Sequence, residues 1–312
     1  MLSAIAATLA IVAIGHLLKR RNFLPQVAWD SITRLCYWVL FPGLLFNLMS
    51  TAELNASFVG PFLATLLIGS AIMIGYALLF GRVTGMSGPA TGSLLQGSLR
   101  HNGFLSLSIL QGTFGVSALQ MGALAIAGLV PVSNIVSVAA LLTLGARRDG
   151  RGLKAAIIAE IARNPLLGAI ILGLLVKYFQ IPVPAFVSQM TVFLGNAALP
   201  LLLLCIGASL QFSAFRGHAV PLIGAVVSKL VLFPFVLVSV GWWLGLDALA
   251  LAVLAATGAA PTASSSYALA SELGGDAELM AEIISLQTLF AALSLPLWIW
   301  LAGAGPTLLA FS

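Results

Sequence analysis

Charge is what this chain has least of. Only 7% of its 312 residues are charged, nine acidic and fourteen basic. A soluble globular domain carries about a quarter, so an ordinary water-facing surface is excluded. Cysteine is nearly absent. Cys36 and Cys205 both fall in apolar stretches, where two buried thiols are expected, and no metal-ligand spacing occurs. The three histidines, His16, His101 and His218, lie far apart in sequence. All nine acidic residues fall in loops or near the ends of apolar segments. An enzyme's nucleophile–base pair, a carboxylate-built sodium site and a paired-aspartate relay therefore have little to be built from, and no cofactor is expected. Sodium held by carbonyls, amides and hydroxyls remains open, since oxygen ligands suffice for a hard cation.

What is abundant is apolar: 60% of the chain, with a mean hydropathy of +1.10. This composition reads as an integral membrane protein. A spanning helix needs about 20 apolar residues, and ten such segments run near 2–18, 31–50, 57–80, 88–113, 119–144, 164–180, 186–210, 218–243, 248–271 and 278–303. Met1 to Leu18 is not a signal peptide by pattern, because Lys19, Arg20 and Arg21 follow the apolar run instead of preceding it. One long polar loop, 146–163, carries a short amphipathic helix over 153–162. It separates a first five-helix half, 1–145, from a second, 164–312. Basic residues gather in alternate loops (Lys19, Arg20, Arg21, Arg82, Arg147, Arg148, Arg151, Lys154, Arg163 and Arg216). The positive-inside rule then places both termini on the extracytoplasmic side of the membrane. The net charge of +5 is thus a topology signal and points to no nucleic acid.

The two halves repeat. From Pro42 to Pro200 the offset is 158; it lays Leu44-Leu45 on Leu202-Leu203 and the 100–103 region on 258–261. Five spans per repeat is odd, so the second repeat is inverted. Paired broken helices in inverted repeats point to a secondary transporter with its site at the repeat interface.

The breaks can be read locally. In segment four, Arg100, His101, Asn102 and Gly103 stand in a row inside apolar sequence. A charge at bilayer depth costs at least about 2.5–3.5 kcal/mol, and Asn and Gly weaken a helix. In segment nine, Pro261 removes a backbone donor, and Thr262, Ser264 and Ser265 cluster behind it. Half-helix N-termini at such breaks favour anions. Arg100 either pairs a carboxylate of the substrate or caps carbonyls at the break. Asn102, Gly103, Pro261, Thr262, Ser264 and Ser265 are the other residues expected at the site. Asn47 and Asn134, amides inside apolar helices, either line it or bond across helices. Pro42 and Pro200 are the expected hinges. Lys229 is charged, lies within segment eight and has no evident acidic partner.

The ordered set FPGLLF (Phe41–Phe46), SLRHNGFLSLSIL (Ser98–Leu110), VPVSN (Val130–Asn134), ARNPLLGAIILGLL (Ala162–Leu175) and PTASSSYALASELGGD (Pro261–Asp276) resembles the auxin efflux carrier family, its bacterial members more than its plant ones. The resemblance implies an all-α membrane fold of ten transmembrane helices in two inverted five-helix repeats, with broken helices four and nine crossing. That crossed-helix architecture is shared with the sodium-coupled bile-acid symporters. It implies transport of an organic anion, such as a mono- or dicarboxylate, by elevator-type or rocking alternating access. Sodium or proton coupling and a homodimer are compatible with it. Segment three lacks the acidic residue that plant carriers have there. The alternatives are a sodium-coupled symporter of a bulky bile-acid-like anion and a membrane sensor that binds without transporting. A channel would need a continuous polar stripe, and polarity here is concentrated at one depth.

Overall fold

The structure, a computed structural model, describes residues 2–53, 55–145, 164–210 and 219–304. The expected loop 146–163 with its amphipathic helix, and the basic residues Arg147, Arg148, Arg151, Lys154, Arg163 and Arg216, lie outside the described residues. Every regular element described is helical: α1 (Leu2–Arg20), α2 (Gln26–Leu35), α3 (Phe41–Ser50), α4 (Ala56–Val83), α5 (Gly88–Leu99), α6 (Gly103–Leu144), α7 (Pro165–Tyr178), α8 (Ala185–Ser209), α9 (Ala219–Val227), α10 (Phe233–Trp243), α11 (Ala248–Ala259), α12 (Ser265–Leu273) and α13 (Ala277–Ile299). Seven stretches among the described residues are long and apolar enough to cross a bilayer. Leu293, Trp242, Trp243, Phe186 and Phe193 are each more than 70% exposed. Apolar surface of that extent on hydrogen-bonded helices is what lipid requires, and the chain is an integral membrane protein.

Prolines and acids shape the helix ends. α2 runs into α3 through a π-helical turn, Cys36–Leu40, immediately before Pro42; a second, Ser228–Leu232, stands immediately before Pro234. A proline clashes with the carbonyl four residues back and leaves it without its helical donor, and widening the preceding turn relieves the clash. The carbonyl that Pro234 cannot serve, that of Leu230, accepts from the Trp298 indole N–H at 2.8 Å. Acidic residues do appear at helix ends: Asp247 and Asp276 accept from the N–H groups of Ala250 and Leu279 at the starts of α11 and α13, satisfying donors that a helix start otherwise leaves open.

Contacts divide the chain into two units, each drawing on residues before and after 146–163. Unit 1 is Met1–Asn55, Phe104–Ala127 and Ile161–Leu210. In it α1 packs on α8 through small residues. A Cβ on Gly207 would fall on the Val12 carbonyl oxygen, and one on Gly15 would fall on that of Leu204. Such close backbone approach is the usual source of helix affinity in membranes. Gly207→Val is therefore expected to lower the melting point of the purified protein by several degrees, as overpacking costs about 1–3 kcal/mol. An unchanged melting point would mean that α1 and α8 separate at little cost. α6 departs from helical geometry at Gly115 (φ 75°, ψ −155°), a conformation open essentially to glycine. That bend falls in the gap expected between segments four and five. Cys36 and Cys205 are buried free thiols, as anticipated.

Unit 2 is Ala56–Gly103, Gly128–Glu160 and Gln211–Ser312. Its centre is made of two short helices. All residues from Ala90 to Leu99 in α5, and from Ala250 to Ala259 in α11, are buried. All-round burial explains why neither has a polar face. α5 packs into a cluster of Ala77, Leu94, Leu95, Ala225, Met280 and Ile283.

Candidate functional site

Both expected breaks are present, and both lie in unit 2. α5 ends at Leu99; Arg100 is extended (φ −66°, ψ 142°), and α6 starts at Gly103. α11 ends at Ala259; Ala260 is extended (φ −64°, ψ 133°), and α12 starts at Ser265. One backbone bond joins them directly, from the Asn102 N–H to the Pro261 carbonyl at 2.7 Å. A second link is made by side chains: Arg100 Nη2 donates to Ser265 Oγ at 2.9 Å. Arg100, Asn102, Gly103, Pro261, Ser264 and Ser265 thus fall on two strips of non-helical or helix-starting backbone tied to each other. Asn102 and Pro261 are buried, and Arg100 is half-buried.

The tie is completed by a residue that the sequence reading passed over. Gln287, on α13 and fully buried, donates through Nε2 to the carbonyls of Gly97 (2.9 Å) and Ala225 (2.8 Å). Its Oε1 accepts from the Thr262 N–H (2.9 Å) and stands 2.7 Å from Thr262 Oγ1. Thr262 Oγ1 is also 2.9 Å from the Gly97 carbonyl, so its single proton has two acceptors. Gly97 is in the last turn of α5, where carbonyls lack helical donors. Gln287 therefore closes the end of α5 and holds Thr262 in the other break. Thr262, grouped in the sequence with the other hydroxyls, is bonded within this frame. The signal for Gln287 was available: an amide inside an apolar helix, the same pattern that singled out Asn47 and Asn134.

The other expected residues are spread more widely. Asn134 is buried on α6, in the part that belongs to unit 2. Asn47 is in unit 1, on the wall of a cavity of about 480 Å³ lined also by Ser50, Lys177, Gln180, Ser188 and Thr191; Thr191 Oγ1 donates weakly to Asn47 Oδ1 at 3.5 Å. Pro42 is half-buried at the start of α3, and Pro200 is exposed within α8.

Unit 2 also has buried polar atoms that bond nothing. Among them are both side-chain atoms of the Gln96 amide, both ring nitrogens of His101, Thr257 Oγ1, Ser266 Oγ, Ser137 Oγ and Lys229 Nζ. Four of these side chains flank the breaks in sequence: Gln96 and Thr257 in the last turns of α5 and α11, His101 within the first break, Ser266 in the first turn of α12. Buried polar groups are ordinarily satisfied, and a low-dielectric interior makes an unpaired one costly. No group of three or more metal-ligating side chains exists among the described residues.

Residues 151–299 match the family model described as membrane transport protein. The resemblance to the auxin efflux carriers carried by the sequence motifs agrees with this match. Over nearly its whole length the chain is also similar to two archaeal proteins. It is 23% identical over 296 residues to an uncharacterised transporter of Methanothermobacter thermautotrophicus, covering 94% of this chain and 96% of that one. It is 22% identical over 308 residues to an uncharacterised transporter of Methanocaldococcus jannaschii, covering 96% and 98%.

Proposed function

We propose that this protein is a secondary transporter of a small organic anion, a mono- or dicarboxylate, working by alternating access. The observation that carries the reading is the tie between the two breaks, Asn102 N–H to Pro261 carbonyl, with unpaired buried polar groups on the segments around it. The N-termini of α6 and α12 open at these breaks, where helix dipoles favour negative charge. Arg100 adds a full positive charge. In this reading Arg100, Asn102, Gly103, Ser264 and Ser265 receive the carboxylate, Pro261 and Thr262 frame it, and Asn134 lies on the same unit. Both breaks belong to unit 2, and Pro42 and Pro200 are kept as the proposed hinges.

The described helices support a count of ten spans. Gly88–Leu144 is 57 residues long, enough for two crossings at about 20 residues each. The shorter apolar helix Pro165–Tyr178 and the broken pair α11–α12 supply the remaining two beyond the seven candidates. Both termini are then extracytoplasmic.

Flux into proteoliposomes tests this. Radiolabelled acetate, malonate, malate, succinate and indole acetate would be offered with and without sodium, and with and without a pH gradient. Saturable uptake of at least one, inhibited by its unlabelled form, is expected. If none is transported or bound under any of these conditions, the anion reading fails. Binding without flux would make the protein a sensor, and flux only with sodium would make it a sodium symporter.

A further inference from the structure

Lys229 is the strongest feature of unit 2 that the anion site leaves unused. It sits in the π-helical turn Ser228–Leu232, it is fully buried, and Nζ has no hydrogen-bond partner. The Phe233 ring lies 4.4 Å from Nζ, centroid to nitrogen, which offers a cation some compensation but no counter-charge. The turn is fastened to the frame of the site. Ser228 Oγ is 2.8 Å from Ser98 Oγ on α5, and the Ala225 carbonyl takes a bond from Gln287.

The surroundings restrict what else this amine could answer to. Of the helices packed against the turn, α9, α10 and α11 contain no titratable side chain. α5 contains none before Arg100 and His101 at its end, and α13 contributes Glu278 and Glu282. No carboxylate bonds Nζ. An ammonium buried without a counter-charge is costly, and an anion seated nearby removes much of that cost. Protonation of the amine and occupation of the site by an anion therefore favour each other, by the same factor in each direction.

We propose that Lys229 carries the proton that travels with the anion. This rests on the anion-transport reading above. On loading, one proton from water adds to the Nζ lone pair as one carboxylate enters; on release the ammonium returns that proton as the carboxylate leaves. One negative and one positive charge cross together, and no sodium is required.

The test is proton uptake on binding. Purified protein in weakly buffered solution with a pH indicator would be titrated with malonate, malate, succinate and indole acetate at several pH values. For the wild type, about one proton taken up per anion bound is expected, with affinity falling roughly tenfold per pH unit once the amine must be loaded. Lys229→Arg keeps a charge that does not titrate; it is expected to bind with affinity changing less than about threefold over the same pH range and with no proton uptake. Lys229→Met, which removes the charge, is expected to bind more weakly and also without uptake. His101→Gln, whatever its affinity, is expected to take up about one proton per anion bound, as the wild type does. Elution as a single folded species, checked for each variant, lets Lys229→Arg stand in should Lys229→Met fail to fold. Wild-type binding with no proton uptake, or uptake persisting in the Lys229 variants or lost only in His101→Gln, overturns the proposal and leaves the anion reading standing. If no anion binds the wild type, the anion reading falls and this proposal falls with it.

Discussion

Gln287→Leu is expected to yield little folded protein, and what folds should show no flux. Leucine is close in size, so the loss is almost wholly one of hydrogen bonds. Four contacts go: two donated to the Gly97 and Ala225 carbonyls, two accepted from Thr262. Part of this is recoverable. The Thr262 hydroxyl already has the Gly97 carbonyl within 2.9 Å, and Ser228 Oγ donates to the Ala225 carbonyl at 3.0 Å. What has no substitute is an acceptor for the Thr262 N–H, in a fully buried site. A buried donor left unmet costs about 1–3 kcal/mol, and weakening the remaining bonds adds to it. Against a total stability of about 5–15 kcal/mol that is a large fraction. It falls on the frame that sets the two breaks against each other, so flux suffers more than stability alone implies. Gln287→Glu keeps the acceptor for Thr262 but turns a carboxyl oxygen toward the Gly97 and Ala225 carbonyls, so it should melt at least as low as Gln287→Leu unless the carboxyl is protonated and donates to one of them. A Gln287→Leu protein that melts within a degree or two of wild type and transports normally would remove Gln287 from the frame.

The positions of the breaks were legible because each violates the rule of its surroundings. A run of Arg100, His101, Asn102 and Gly103 in apolar sequence, and a proline followed by hydroxyls, have few readings inside a membrane. The bend at Gly115 was legible as a gap between segments, and there Gly103–Leu144 is two helices meeting at a kink. The role of Gln287 at the end of α5 was not legible. Its sequence context, an amide in an apolar helix, is shared by Asn47 and Asn134. Which of these closes a helix end depends on where that end lies in space, and no local pattern carries that. Thr262 shows the same limit from the other side. Among Thr262, Ser264, Ser265 and Ser266 the sequence offers equivalent hydroxyls; the phase of α12 and the reach of Gln287 turn Thr262 inward and leave Ser265 open to Arg100. Nor does the linear order of segments show that each packing unit takes helices from both halves, since a unit is defined by contacts between distant stretches.

Arg100→Ala should abolish most anion binding while hardly changing the stability of the empty protein. The bond from Arg100 to Ser265 is exposed, and an exposed hydrogen bond of this kind contributes about 1 kcal/mol or less. A carboxylate received by the guanidinium makes charge-assisted bonds worth about 1.5–3 kcal/mol, so affinity should fall roughly ten- to a hundredfold. Thermal stabilisation by ligand reads this directly. At a hundred times the wild-type dissociation constant, ligand adds about 2.7 kcal/mol; with affinity ten- to a hundredfold weaker, the same concentration adds about 1.4 to 0.4 kcal/mol. Arg100→Lys should lie between, since an ammonium keeps the charge and loses the planar fork. The two readings left open for this residue then separate by which melting point moves. A carboxylate-binding arginine changes the liganded curve and leaves the empty one. An arginine that only clamps its break to α12 lowers the empty curve and preserves the ligand's increment, and in that case the carboxylate is received by Asn102 and the helix N-termini without it.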